Sequence, residues 1–337
     1  MVTIAMPAFN EERYIEACIR SVQAQDYPAD RIEILVADGR STDRTREILA
    51  ELTAADPRIR MIDNPDRLQA AGLNQLIRAA RGEIVVRMDV HCEYTPSYVR
   101  TCVETLAATG ADNVGGAQRA KARSTFQAAL CAALGSPVGV GGARYRDATA
   151  EGFVDTVFLG AFKKKIFETI GLYDPKAITN EDAELNQRLL ASGGKIYLSR
   201  AIEVHYYPRD SFATLAKQYW KYGRGRARTL LKLGRFPTLR PLIPFAMVVG
   251  ATALIVVPPL WPIAPAAFAA YALLTGAEAV RVGAPLGPAG IATAWAIFPV
   301  LHASHGAGFA SGLLHYLRKP DWGALETLAP TPNLRAV

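Results

Sequence analysis

The sequence predicts an α/β fold with a mainly parallel central sheet, followed by a C-terminal region of membrane helices. Three observations carry this reading. From Val2 to His205, short apolar runs alternate with amphipathic helical segments. Carboxylate-bearing motifs directly follow several of those runs, where parallel sheets gather their ligands. Between Pro241 and Leu317 of the 337-residue chain, the only Asp, Glu, Lys or Arg residues are Glu278 and Arg281.

Each element follows from local pattern. Val2–Met6 reads as a buried strand, and Asn10 can cap a helix running through Glu16-Ala17-Cys18-Ile19 to Ala24. Ile32–Ala37 is a second apolar run, and Thr42-Asp43 opens a helix to Ala54. Arg58–Ile62 is a short strand, Leu68–Ala80 has helical spacing and stops at Gly82, and Glu83–Met88 is the next strand. Pro96–Ala108 and Ser124–Leu134 read as helices, and the Gly-rich stretch Gly135–Gly142 as a loop. Phe153–Leu159 reads as a strand and Lys163–Ile170 as a short helix ended by Gly171. Asn180 is expected to cap a helix from Glu181 to Leu190, and Lys195–Leu198 and Glu203–His205 are extended.

Ser211–Leu233 is a basic helix. Between Lys217 and Arg235 the charged residues are Lys217, Lys221, Arg224, Arg226, Arg228, Lys232 and Arg235, with no acid. Leu242–Val257, Ile263–Val280 and Gly290–Leu317 are candidate membrane helices, and Pro258, Pro259, Pro262 and Pro265 blur the first boundary. The expected division is an α/β domain over 1–210, a basic amphipathic interfacial helix over 211–240, a transmembrane region over 241–317 and a tail over 318–337.

Composition narrows the partners. The chain is 50% hydrophobic, 20% charged and carries a formal charge of +7. The positive charge is concentrated beside the apolar region, which suits anionic headgroups or a lipid diphosphate and not nucleic acid. Met1 leads directly into Val2-Thr3-Ile4-Ala5-Met6 without a signal-peptide pattern, so the α/β domain is expected on the cytosolic side. Cys18, Cys92, Cys102 and Cys131 lack CxxC spacing and read as reduced, buried thiols.

Four motifs carry the chemistry: Pro7-Ala8-Phe9-Asn10-Glu11-Glu12, Asp38-Gly39-Arg40-Ser41-Thr42-Asp43, Asp89-Val90-His91 and Asn180-Glu181-Asp182-Ala183-Glu184. Asp89 at a strand end, with His91 two residues on, is a way to hold a divalent metal against a nucleotide diphosphate. Imidazole leans that metal toward Mn²⁺ over Mg²⁺; alternatively His91 contacts phosphate. Together the four motifs point to sugar transfer from an activated nucleotide sugar.

In order and spacing, the chain up to His205 resembles the family 2 inverting glycosyltransferases, which have the GT-A nucleotide-sugar-binding fold. Three further stretches resemble the succinoglycan-type bacterial exopolysaccharide glucosyltransferases over nearly the whole chain. They are Arg87-Met88-Asp89-Val90-His91, Gln218-Tyr219-Trp220-Lys221-Tyr222-Gly223-Arg224-Gly225-Arg226 and His305-Gly306-Ala307-Gly308. The resemblance implies that Asp38 accepts a hydrogen bond from the nucleotide base, that Pro7, Ala8 and Phe9 wall the base pocket, and that Glu11 approaches the ribose. It implies Asp89 and His91 for Mn²⁺ or Mg²⁺, Asp182 as general base, and Glu181 as a group orienting the acceptor. Gln218, Trp220, Arg224 and Arg226 resemble a helix that closes over donor diphosphate and acceptor. In the family, the stretch before Lys163-Lys164-Lys165 borders donor sugar and acceptor; the triplet itself also fits a solvated helix start.

The implied activity moves a hexose, glucose for preference, from a UDP-sugar donor to a polyprenyl-diphosphate-linked saccharide acceptor at the inner (cytoplasmic) membrane. Exopolysaccharide assembly proteins are further partners. Transfer to polyprenyl phosphate, or an inactive membrane scaffold, are the alternatives. The chain departs from the family pattern in three places. His91 replaces the second acid of Asp-x-Asp, and Ala37 precedes Asp38 where a second acid is common. Gln218-Tyr219-Trp220-Lys221-Tyr222 replaces the Gln-x-x-Arg-Trp of processive synthases, which argues against a long-chain polymer synthase.

Overall fold

A computed structural model describes residues 1–234 and 239–328. Arg235, the 235–238 part of the expected interfacial helix and the tail beyond 328 lie outside the described residues. The elements are β1 (Val2–Ala8), α1 (Ile15–Gln23), β2 (Ile32–Asp38), α2 (Thr45–Ala55), β3 (Ile59–Asp63), α3 (Gln69–Ala79), β4 (Ile84–Arg87), β5 (Cys92–Tyr94) and α4 (Tyr98–Thr109). They continue with β6 (Asn113–Gly116), β7 (Gln118–Ala120), α5 (Thr125–Leu134), α6 (Pro137–Val140), β8 (Gly152–Phe153), β9 (Phe158–Lys163), α7 (Ile166–Ile170), α8 (Glu181–Ala191), β10 (Ile196–Leu198) and β11 (Val204–Tyr206). The last four are α9 (Phe212–Leu233), α10 (Ile243–Val256), α11 (Ala264–Gly283) and α12 (Gly287–Arg318).

The chain forms two compact units. Among the described residues, the first comprises Met1–Arg119, Ala148–Tyr206 and 322–328; the second comprises Ala120–Asp147 and Tyr207–Asp321. The first unit is built on a sheet of order β3-β2-β1-β4-β9-β6-β10-β8. Its β3-β2-β1-β4 half is parallel, and β9 runs antiparallel between β4 and β6. Residue alternation sorts the two faces. Val2, Ile4 and Met6 pack with Ile15, Ile19 and Val99, whereas Ala5 and Leu35 pack with Leu73, Leu76 and Ile77 of α3. The register aligns the carboxyl ends of neighbouring strands: Ala8 lies opposite Asp38, Asp38 opposite Asp63, and Ala5 opposite Arg87.

Several sequence expectations shift. Asn10 does not cap α1; its φ is 57° and its Oδ1 accepts the Thr42 N–H at 2.8 Å. Asn180 does hold the N-cap position of α8, but at φ 62° its side chain makes no cap bond. Asn is a residue that tolerates both roles. The expected Phe153–Leu159 strand is split between β8 and β9, where Leu159 and Gly160 take φ of 64° and 108°. Lys163 is a strand residue opposite Ile84, the first residue of β4, and its Nζ donates to the Gly110 carbonyl at 2.9 Å. The lysine triplet therefore starts at the end of β4 away from Asp89.

The α/β domain is not the continuous 1–210 segment of the sequence reading. Apolar α5 belongs to the helical unit, where Ala129, Leu130 and Ala133 pack with Ala279 of α11 and with Ala294, Ile297, Phe298 and Leu301 of α12. The start of the expected tail rejoins the first unit. The Leu172 N–H donates to the Glu326 carbonyl at 2.7 Å, the Gly323 N–H donates to Asp174 Oδ1 at 3.1 Å, and Arg78 pairs with Glu326.

Within the helical unit, Ala264–Arg318 is long and apolar enough to cross a membrane by length and composition, and α10 is a shorter apolar helix without a buried residue. Several polar groups among these helices are paired. Glu278 accepts from Arg281 at 2.6 and 2.7 Å and from Ser136, and the His302 ring bonds the Tyr271 hydroxyl at 2.9 Å and the Val138 carbonyl at 2.8 Å. Glycines let α9 lie directly on α12: a Cβ at Gly308 would strike the Trp220 carbonyl, and one at Gly223 the His305 carbonyl.

Two stability measurements follow. Gly308→Val forces α9 from α12 and should destabilise the helical unit by about 1–3 kcal/mol, whereas Gly250→Ala, where a Cβ meets open space, should be neutral or stabilising. Tryptophan-detected unfolding in detergent checks this; equal effects would refute the packing argument. Asp56 accepts from Arg58 Nη2 at 2.7 Å and Gln23 Nε2 at 2.8 Å, and these partners hold its carboxyl well below the usual range despite its burial. Its contribution is present above the unfolded carboxyl pKa of about 3.9 and is lost as pH falls through the folded one. Asp56→Asn should therefore lower the unfolding temperature at neutral pH, with the gap closing in strong acid.

Candidate active site

The site begins where β1 and β2 end side by side. Phe9 is exposed, with its ring against Gly39, where an added Cβ would come within 3.1 Å of Phe9 Cδ2. The two following loops are laced together. The Gly39 N–H donates to the Ala8 carbonyl at 2.8 Å, the Asn10 N–H to Ser41 Oγ at 2.9 Å and the Glu11 N–H to Thr45 Oγ1 at 2.7 Å. Pro7, Ala8, Phe9 and Glu11 thus sit on one edge with the Asp38 loop. Asp38 itself is wholly buried. Its Oδ2 accepts from Arg46 Nη1 at 2.8 Å, and both oxygens lie 3.3 Å from the Ser41 N–H. Arg46 also reaches Asp63 at 3.3 Å.

The second part is built on the end of β4. Arg87 is its last residue and is only 4% exposed. Its Nε donates to Asp89 Oδ1 at 3.0 Å and its Nη2 to Asp89 Oδ2 at 3.3 Å. Its Nη1 donates to Glu181 Oε1 at 3.4 Å and, more closely, to Asp182 Oδ1. One guanidinium thus gathers three carboxylates from two chain segments. Asp89 is fixed further by Gln69, whose Nε2 donates to Oδ1 at 3.3 Å, and by Tyr94. That hydroxyl accepts the Asp89 N–H at 2.6 Å and donates to the Asp89 carbonyl at 3.0 Å. Glu181 and Asp182 open α8, where free N–H groups favour negative charge.

Electrostatics separates the two aspartates. Burial pushes Asp89 up, but Arg87 and then His91 outweigh it, so its carboxyl lies below the usual range. Burial pushes Asp182 up to about 7, with Glu181 and Asp89 adding to the rise and Arg87 opposing it only in part. The Asp182 side chain is 29% exposed, so one edge stays open to solvent and to an incoming group. Burial lowers the Arg87 pKa, but Asp182, Asp89 and Glu181 outweigh it and hold the guanidinium well above its ordinary value.

Among the described residues, no three or more His, Cys, Asp and Glu side chains form a metal cage. Asp89 and the exposed His91 offer two donors, with His91 Nδ1 3.6 Å from Glu11 Oε1. Such an open set fits a cation that draws its other ligands from a diphosphate and water. The structure thus gathers Asp89, His91, Glu11, Glu181 and Asp182, and Pro7, Ala8, Phe9 and Asp38 share the neighbouring strand ends. Gln218, Trp220 and Arg224 belong to the helical unit. There Gln218 Nε2 donates to the Tyr222 hydroxyl at 3.0 Å, and the Arg224 guanidinium lies 5.5 Å from the Trp220 ring and 5.6 Å from that of Tyr316. Sequence reasoning assigned no role to Arg87, Gln69 or Tyr94. Only Arg87 left a signal, as a cation closing an apolar strand.

Known proteins resemble this chain in sequence and fold. Residues 3–171 match the model of glycosyl transferase family 2. The chain is 34% identical over 321 residues to the succinoglycan biosynthesis protein ExoA of Rhizobium meliloti (strain 1021), covering 94% of this chain and 96% of that protein. It is 30% identical over 252 residues to the dolichyl N-acetyl-alpha-D-glucosaminyl phosphate 3-beta-D-2,3-diacetamido-2,3-dideoxy-beta-D-glucuronosyltransferase of Methanococcus voltae, covering 72% and 78%. The mannosyltransferase PcManGT of Pyrobaculum calidifontis, solved in complex with GDP-Man and Mn²⁺, superposes with a TM-score of 0.63 at 20% identity, over 93% of this chain and 87% of that one. The chain belongs to glycosyltransferase family 2 and is a glycosyltransferase of the GT-A fold.

Proposed function

We propose that this enzyme moves a hexose, glucose for preference, from a UDP-sugar to a polyprenyl-diphosphate-linked saccharide at the inner membrane, in exopolysaccharide synthesis and with inversion. The observation that carries the reading is the pairing of Asp89 and Asp182 on one guanidinium: a carboxylate held ionised beside a carboxyl raised to about 7. Inversion needs one base and no covalent intermediate. Asp182 takes the proton of the acceptor hydroxyl as its oxygen bonds to the anomeric carbon, and the bond from that carbon to the nucleotide diphosphate breaks. Its raised carboxyl makes it a stronger base than an ordinary aspartate. Glu181 orients the acceptor.

Asp89 and His91 would hold a divalent cation, Mn²⁺ or Mg²⁺, which neutralises charge on the departing diphosphate. Pro7, Ala8 and Phe9 wall the nucleotide base and Glu11 approaches the ribose; Asp38, expected to accept a hydrogen bond from the base, is wholly buried on Ser41 and Arg46 and holds those two residues in place beside it instead. The Arg224–Trp220 pair and Gln218 supply a cationic and aromatic surface suited to an anionic diphosphate or headgroup. Two further points support the lipid-linked acceptor. Large apolar side chains are exposed along α10, α11 and α12, such as Ile255 at 62% and Leu273 at 73%. The names of two relatives cite succinoglycan biosynthesis and a dolichyl-linked sugar phosphate.

The test is transfer of radiolabel from UDP-glucose into extractable lipid by membranes carrying the full chain, with the source cell's lipid-linked intermediates as acceptors. Metal-dependent label should appear and fall about 10²- to 10⁴-fold in Asp182→Asn. Label that persists in the variant would favour a phosphate acceptor, which needs little base assistance. No label from UDP-glucose, UDP-galactose or GDP-mannose would favour a scaffold.

The pH profile gives a second test. The base must be ionised, so kcat/KM should fall about tenfold per pH unit below about 7 and level off above it. A carboxyl raised on folding adds stability that is present below its unfolded pKa and lost as pH rises through about 7. Through this group acid therefore lowers the rate without unfolding the protein. A profile flat to pH 5 would contradict the assignment.

A further inference from the structure

We infer that Arg87 is a positioning residue that sets the spacing between the carboxylate on the donor side, Asp89, and the base, Asp182. The inference rests on the proposed base role of Asp182. Arg87 meets Asp89 through Nε and Nη2, at 3.0 and 3.3 Å, and meets Asp182 and Glu181 through Nη1. A guanidinium is planar and rigid, so two groups bound to its different edges keep a fixed separation and a fixed relative tilt. The contacts to Asp182 and Glu181 span 95 and 94 residues of sequence, so no local backbone geometry could set that separation.

The surroundings leave Arg87 little freedom. It is 4% exposed, it ends a strand whose Arg87 lies opposite Ala5 of β1, and Gln69 and Tyr94 hold Asp89 from two further elements. In inverting transfer the acceptor oxygen must lie in line with the bond to the leaving diphosphate. The proton acceptor and the diphosphate site must therefore be placed relative to each other, and the described contacts make Arg87 the direct link between them. A lysine would keep the charge and lose the fork: one ammonium cannot span both edges. Arg87→Lys should accordingly damage alignment more than donor binding.

The experiment uses the full chain in detergent with the donor that the wild type turns over. Arg87→Lys should lower kcat about 100-fold, the size of loss expected from a misplacement of about 1 Å, with the dissociation constant for UDP plus Mn²⁺ changed by less than about threefold. Combined with Asp182→Asn, it should add no further loss, because Arg87 acts through Asp182. If Arg87→Lys fails to fold, Arg87→Gln with Glu181→Gln removes one charge of each sign and, measured against Glu181→Gln alone, should show the same split. Additive losses, a loss of UDP affinity that matches the loss of rate, or an unchanged kcat would overturn the inference. Full activity of Asp182→Asn alone would instead overturn the base assignment.

Discussion

A single buried guanidinium holds the first unit's chemistry together. Three carboxylates near one strand end repel each other, and burial makes each less tolerable. Arg87 resolves both problems at once. Its own burial is tolerable only because Asp89, Glu181 and Asp182 surround it, and their proximity is tolerable only because it is there. The start of α8 is thereby tied to the end of β4. The in-register parallel strands do the rest, setting the ends of β1, β2 and β4 on one edge of the sheet.

Most residues that the candidate site gathers were legible in the sequence, but their wiring was not. Asp38, Asp89 and Asp182 stand directly after apolar runs or at a helix start, and such positions are visible from pattern alone. That Asp89 and Asp182 would share one partner is a long-range fact, which local pattern does not encode. Arg87 was visible as an oddity, a cation in a strand otherwise of Ile84, Val85 and Val86, yet nothing nearby in sequence indicated which acids would receive it.

The misread elements have physical causes. Asn10 precedes a helix, where Asn commonly caps, but uses its tolerance of positive φ instead; Asn180 keeps the expected N-cap position of α8 in the same left-handed conformation, without a side-chain cap bond. Lys163 looked like a helix start because three lysines in a row suggest solvent, whereas β9 carries it as an edge-of-strand residue with its Nζ on a carbonyl. Apolar α5 could have served either unit. Its small residues Ala129 and Ala133 fit against α12, a choice that only the packing partner reveals. The close seating of α9 on α12 was equally hidden, because nothing local to Gly223 or Gly308 shows that these glycines permit contact between two helices.

The stereochemistry of the product tests the account most directly. The proposed role of Asp182 as a base, with no covalent intermediate, demands a single displacement. The anomeric configuration of the newly attached sugar, read from the proton coupling at its anomeric carbon, should be β when the donor is an α-linked UDP-hexose. An α linkage would mean a retained configuration and two displacements or a front-face path, and would contradict the role given to Asp182.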